Sequence, residues 1–192
     1  MHTAFELFFT KGYNNTKIIE IAEAANIGKG TFYEYFKSKD ALLEELLRLK
    51  FDSDQHQIDQ IAASDKPGTD KIRSFFEFEI QCIEDYGPSS NVLFQEMMSP
   101  TFSCTDEIKL MMHKIFMHKY NFVNQVIKEG IEKGEFRKID SALAATSLIG
   151  AISFYTGFKF NIMHHHVMPG IPFGNPAWDN EEFFELVFSG LK

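Results

Sequence analysis

The chain has 192 residues, a mass of 22.1 kDa and a formal charge of −8, with 44% apolar and 24% charged residues. That is an ordinary globular composition for one domain or two small ones, long enough to bury a substantial core. Two cysteines, Cys82 and Cys104, exclude a disulfide framework and a thiolate metal site and read as buried reduced thiols, and no run of 18 apolar residues suggests a membrane-crossing helix.

The pattern reads as helix almost throughout, so the expected class is all-α with about nine helices. Ala4, Phe5, Phe8 and Phe9 repeat at helical spacing, and Gly12 ends that helix. Thr16 is the candidate cap of a second helix whose apolar face is Ile18, Ile21, Ala22 and Ala25. Asn26-Ile27-Gly28 interrupts it, a short helix follows from Lys29 to Phe36, and Ser38 caps a long helix carrying Leu42, Leu43, Leu46, Leu47 and Phe51. Ser64 to Thr69 is a loop by its turn residues. Helices are then expected from about Asp70 to Tyr86, Val92 to Met98, Thr105 to Lys133, Ser141 to about His164 and Asn180 to Leu191. Gly87-Pro88, Pro100, Gly134 and the stretch from Pro169 to Pro176 separate them.

Charge is unevenly spread. Residues 1–50 carry seven Lys/Arg and seven Asp/Glu, while the remainder carries twelve against twenty, so the whole acidic excess lies in the remainder. Between Lys11 and Lys39 there are five lysines and three glutamates. A mildly basic end on an acidic body suits a protein that meets phosphate with that end only. The start, Met1-His2-Thr3-Ala4-Phe5-Glu6, lacks the basic region and apolar run of a signal peptide, so a cytoplasmic protein is expected.

Two short helices joined by a tight turn make a helix-turn-helix over Thr16 to Leu43. Small residues, Ala22 and Ala25, let the second helix pack on the first. Asn26 tolerates the left-handed backbone such a turn needs, and Ile27 is expected to plug the turn into the core. The second helix of such a pair enters the major groove of DNA with its N-terminal residues towards the bases. Lys29 can reach phosphate or a guanine edge, Gly30 lets the backbone approach, and Thr31 is short enough to touch a base or a thymine methyl. Phe32 and Phe36, four apart, face inward. Tyr33 and Tyr35 turn hydroxyls outward, and Lys39 lies near the far backbone. The same residues would also serve as two short helices of an all-α core, with Lys29 and Lys39 solvated and the tyrosines packing.

The string from Ile18 through Asn26-Ile27-Gly28-Lys29-Gly30-Thr31-Phe32-Tyr33-Glu34-Tyr35-Phe36 to Leu43 closely resembles the DNA-binding signature of the TetR family of repressors. Ala4-Phe5-Glu6-Leu7-Phe8, Lys11-Gly12-Tyr13 and Thr16 look like that family's first helix and its link to the second. Gly130-Ile131-Glu132-Lys133-Gly134-Glu135-Phe136-Arg137 is a weaker echo of the end of its seventh helix. The resemblance implies a head over residues 1–44 and an effector-binding and dimerisation domain over 45–192. It also implies DNA contacts at Thr16, Lys29, Gly30, Thr31, Tyr33, Tyr35 and Lys39. The chain departs from the pattern at Asn26, where glycine is common, at Gly28, where Ser or Thr is usual, and at Tyr35, where His is frequent. Glu34 is ambiguous: it can accept from a cytosine amine or repel phosphate.

The resemblance further implies a homodimer built from the last two long helices, and a small-molecule effector whose binding releases a palindromic operator. The candidate dimer face is Ala145, Leu148, Ile149 and Ile152 with Phe183, Phe184, Val187 and Phe188; these could equally pack on their own core. Candidate effector contacts are Phe75, Phe78, Met97, Phe102, Met111, Phe116, Phe154 and Phe158, and an apolar or aromatic ligand suits them, since pockets are mostly apolar. His164-His165-His166 reads as surface histidines rather than a metal site, because neighbours on a helix point about 100° apart. No phosphate loop, nucleophile motif or metal-ligand pair is present, so neither enzyme activity nor a cofactor is expected. The competing expectation is a helical small-molecule or metal sensor whose head no longer binds DNA.

Overall fold

The structure is a computed structural model that describes residues 1–84, 93, 96–97, 102–159 and 178–191. Among these residues it contains eight helices and no strand: α1 (His2–Lys11), α2 (Ile18–Ala24), α3 (Lys29–Tyr35), α4 (Lys39–Ala63), α5 (Gly68–Glu84), α6 (Asp106–Glu132), α7 (Ser141–Lys159) and α8 (Asn180–Phe188). The all-α expectation holds. The expected histidine run at 164–166 and the loop at 169–176 lie outside the described residues.

The chain forms two compact units, Met1–Asp52 with Tyr86–Lys114, and Ser53–Asp85 with Ile115–Lys192, so the chain passes from one to the other inside α4, between Asp85 and Tyr86, and inside α6. In the first unit the apolar faces of α1 to α4 meet in one cluster: Ala4, Phe8, Phe9, Tyr13, Ile21, Ala22, Phe32, Leu42, Leu43, Leu46 and Leu47. Leu93 and Ile108, far away in sequence, are buried in that same cluster. Burying a side chain of this size stabilises by about 1.5–3 kcal/mol, so these two residues are a real part of the head's stability.

The second unit closes over Ile58, Ile72, Phe75, Phe76, Ile80, Phe122, Val123, Val126, Ile127, Ala145, Leu148, Ile152, Phe184 and Phe188. At the end of α6 the chain reverses at Gly134, whose φ of 76° needs glycine. The N–H groups of Glu135 and Phe136 both donate to the Gly130 carbonyl, at 2.8 and 3.2 Å. Phe136 is thereby laid on Gly130 and buried, which is the physical content of the Gly130-to-Arg137 motif. Asp179 caps α8, its carboxylate accepting from the N–H groups of Glu181 and Glu182 at 2.7 and 3.0 Å. Arg73 of α5 lies over the Phe184 ring and pairs with Glu181, fastening α8 to α5.

By length and composition alone, α7 would be long and apolar enough to cross a membrane. Its length and composition are also those of a core helix, and Ala144, Ala145, Leu148, Ile152 and Tyr155 are buried within the second unit.

Candidate DNA-binding interface

The head is assembled around Phe32. That ring is buried, sits 5.7 Å from Phe36 and edge-on to Tyr33, and belongs to the core cluster that holds Ile21 and Ala22 of α2. Asn26 adopts φ 54°, the left-handed turn expected of it, and the Ile27 N–H closes the turn on the Ala22 carbonyl at 2.9 Å. Ile27 itself is exposed, as is Ala25, contrary to the expectation that both pack inward. The small residue that admits α3 is Ala22 alone, because Ala25 lies at the end of α2, beyond the crossing. Ser38 caps α4 as expected, its hydroxyl accepting from the Ala41 N–H at 3.0 Å.

With Phe32 turned in, α3 presents Lys29, Gly30, Tyr33, Glu34 and Tyr35 outward, and Thr31 is half-buried beside them. Tyr35 is 75% exposed. A Cβ added to Gly30 would meet nothing within 4 Å, so this glycine is not required by packing and leaves backbone open to an approaching surface. Gly28 occupies the cap position of α3 without a side-chain hydrogen bond, in line with the hydroxyl missing from the sequence.

Thr16 and Lys39, both expected at the DNA surface, are engaged inside the head. Thr16 is 1% exposed, and its hydroxyl donates to the Gly12 carbonyl at 2.6 Å. It therefore does not cap α2. Lys17 holds that position, and the Glu20 carboxylate supplies the cap by accepting from the Lys17 N–H at 2.8 Å. Glu20 also pairs with Lys11, which holds its carboxyl below the usual range. Lys39 donates from Nζ to the Tyr13 carbonyl (2.6 Å) and the Thr16 carbonyl (2.9 Å) and lies 4.2 Å from the centre of the Tyr13 ring. Partial burial lowers its pKa, opposed by the charges of Asp40 and Glu96. Tyr13 in turn donates to Asp40 Oδ1 at 2.5 Å, and burial, reinforced by that carboxylate, pushes the phenol up. The fixed chemistry here is a staple across the α1–α2 turn.

Two exposed cations are missing from the expected set: Lys17 at the start of α2 and Lys37 just after α3. Their charge was visible in the lysine count; their exposure required the fold.

The expected effector residues divide between the two units. Met97, Phe102 and Met111 pack against the head's core. Phe75 is buried 5.3 Å from Phe122, and Phe78 packs on the same second cluster. Phe116 is exposed and stacks on Tyr120. Phe154 and Phe158 line an open groove of about 430 Å³ with Ala151, Tyr155, Trp178 and Leu186. The expected dimer residues fall into two groups in the single chain. Ala145, Leu148, Ile152, Phe184 and Phe188 are buried in their own unit, while Ile149, Phe183 and Val187 are only partly buried against it. Helix α8 turns its more apolar face to its own core, while α7 is apolar nearly all round. The outward apolar side chains are Leu143 and Phe154 of α7 and Leu186 of α8. Cys82 and Cys104 are half-buried free thiols.

Residues 1–46 match the family described as bacterial regulatory proteins, tetR family. The first 46 residues of the chain are therefore a tetR-family DNA-binding head by sequence. Across 52 residues the chain is 50% identical to the uncharacterised helix-turn-helix regulator YuxN of Bacillus subtilis, covering 27% of this chain and 18% of that one. A longer similarity, 28% identity over 155 residues, links it to the regulator QacR of Staphylococcus aureus, covering 79% and 81% of the two chains. Its fold is shared with the FadR regulator of Bacillus subtilis, solved in complex with stearoyl-CoA. That match has a TM-score of 0.77 at 20% identity, over 100% of this chain and 97% of that one.

Proposed function

We propose that the chain is a TetR-family regulator, a cytoplasmic homodimeric repressor that inserts α3 of each subunit into the major groove of a palindromic operator and lets go when an apolar effector binds. The observation that carries this reading is the outward row Lys29, Gly30, Tyr33 and Tyr35 on a short helix whose inward side is locked by Phe32. Lys29 would take a guanine edge or a phosphate, Thr31 a base edge, and the two tyrosines hydroxyl contacts. Lys17 and Lys37 would supply phosphate contacts, in place of Thr16 and Lys39. A single reading head covers too few base pairs for a selective site, and a dyad doubles them.

The dimer reading is supported by exposed apolar side chains that a monomer would leave in water: Leu143 at 60%, Phe154 at 58% and Leu186 at 72% exposure. On α7 the positions 143, 147, 150 and 154 form one stripe, and Gly150 within it has open space around its Cα, which admits a second helix closely.

The effector class that the FadR similarity favours is a long-chain acyl-CoA. Polar groups for such a ligand exist in the second unit. Lys119 of α6 pairs with Glu79 of α5 at 2.7 Å, and Asn124 Oδ1 is buried without a hydrogen-bond partner. A buried orphan acceptor of this kind calls for a missing donor.

The test is fluorescence anisotropy on the duplex upstream of the protein's own gene, followed by titration with stearoyl-CoA and, separately, stearate. Expected is saturable binding that stearoyl-CoA reverses. Binding that neither ligand moves would refute the acyl-CoA assignment and leave DNA binding standing; absence of binding would refute the whole reading.

A further inference from the structure

The turn between α1 and α2 is held from a distant part of the chain. Glu96 Oε2 accepts hydrogen bonds from the backbone N–H groups of Tyr13, at 2.6 Å, and Asn14, at 3.2 Å, 83 and 82 residues away in sequence. Lys39 grips the same turn through its carbonyls, taking those of Tyr13 and Thr16. One carboxylate therefore satisfies the turn's donors and one ammonium its acceptors. The Tyr13 ring meets Phe102 edge-on at 5.9 Å, and its hydroxyl is tied to Asp40. Leu93, three residues before Glu96, and Ile108 are buried in the cluster that holds Phe32.

The turn matters because α2 starts only four residues after Asn14, and α3 packs on α2 through Ala22, Ile21 and Phe32. A shift of the turn moves the start of α2 and carries α3 with it. Hydrogen bonds to an ionised acceptor are the stronger kind, and nothing in residues 1–50 replaces Glu96 at these two amides in the structure.

We propose that Glu96 is a positioning residue for DNA binding: its carboxylate clamps the Tyr13 and Asn14 amides, so the placement of α2 and α3 is set by residues outside the first fifty. This rests on the reading of α3 as the DNA-contacting helix. It gives the chain a specific lever, since whatever displaces Glu96 releases the turn while leaving the reading side chains untouched.

The experiment uses the full chain with Glu96→Ala and Glu96→Gln, the latter keeping side-chain volume and one acceptor oxygen as a guard against loss of fold. Amide hydrogen exchange is read at Tyr13 and Asn14, and anisotropy is read on the duplex upstream of the protein's own gene across a salt series. For Glu96→Ala, exchange at both amides should speed up about tenfold or more, the scale of one missing charge-assisted bond. Affinity should fall about tenfold with an unchanged salt slope, because every phosphate contact stays in place. Glu96→Gln should lie between this variant and wild type. Unchanged exchange overturns the clamp. Faster exchange with unchanged affinity overturns the positioning role. Tighter binding by both variants means the carboxylate acts by repelling phosphate, and overturns it as well. If the wild type itself fails to bind, the DNA-binding reading has failed; if the wild type binds and the variants match it, only the role of Glu96 has failed.

Discussion

Lys39 and its neighbours Lys17 and Lys37 separate a staple from a phosphate contact. Lys39→Met keeps the apolar stem but removes two hydrogen bonds from a charged donor, at 2.6 and 2.9 Å, and the cation's approach to the Tyr13 ring. Hydrogen bonds to charged groups contribute about 1.5–3 kcal/mol each. The group is only partly buried, so water replaces part of that, and a net loss of about 2 kcal/mol is expected once solvent screening is allowed for. For a chain of this size each kcal/mol lowers Tm by roughly 2–4 °C, so the melting point should fall by about 4–8 °C. DNA affinity should fall as well, by misplacement of the turn, but with an unchanged dependence on salt. Lys17→Met and Lys37→Met should do the reverse: little change in Tm, and a salt slope shallower by about 0.9 for each phosphate no longer neutralised, doubled in a dimer. The assays are thermal unfolding by circular dichroism and anisotropy at several salt concentrations. If Lys39→Met leaves Tm alone and flattens the salt slope, Lys39 is a phosphate contact and the reasoning from its hydrogen bonds is wrong.

Gly130→Ala should destabilise the second unit. The new Cβ would lie 2.3 Å from Phe136 Cδ2 and 2.4 Å from Cε2, far inside van der Waals contact, so the buried ring would have to move. Overpacking of this kind costs about 1–3 kcal/mol, visible as a Tm drop that Phe136→Leu partly restores; an unchanged melting curve would contradict it. Leu186→Glu, at a position exposed in the single chain, should leave the helical spectrum intact and convert a dimer to monomers in sedimentation at micromolar concentration. A dimer that survives the change would move the interface elsewhere. Glu20 should titrate by NMR below the usual carboxylate range, because Lys11 and the Lys17 amide favour its ionised form. Its folded pKa is depressed, so its contribution is present above the unfolded pKa and is lost as pH falls through the folded one. A midpoint at or above the ordinary value of about 4.3 would contradict the pairing.

What was legible in the sequence was what local spacing encodes. Phe32 and Phe36 four apart, Asn26 in the turn, Ser38 before α4 and the family signature point to the helix-turn-helix. Residue type, however, does not say which atoms a side chain will reach. Thr16 and Lys39 look like DNA contacts until the carbonyls of Gly12, Tyr13 and Thr16 are seen to claim them. Periodicity finds the more apolar face of α8, and that face goes to the chain's own core, while α7 is apolar nearly all round. Leu143, Phe154 and Leu186, on the outer face, carry no comparable pattern. Leu93, Glu96 and Ile108 join the head across a long stretch of intervening chain, and nothing local marks them.

The central claim is that the outward side of α3 binds DNA. Its most direct test compares wild type with Lys29→Ala/Tyr35→Phe on the duplex upstream of the protein's own gene, by anisotropy at about 0.1 M salt, where phosphate contacts still act. Both side chains are exposed, so the double variant should keep its melting point while its affinity falls by about tenfold or more, the worth of at least one base contact. Equal affinity for the two proteins would show that α3 is not the surface that meets DNA.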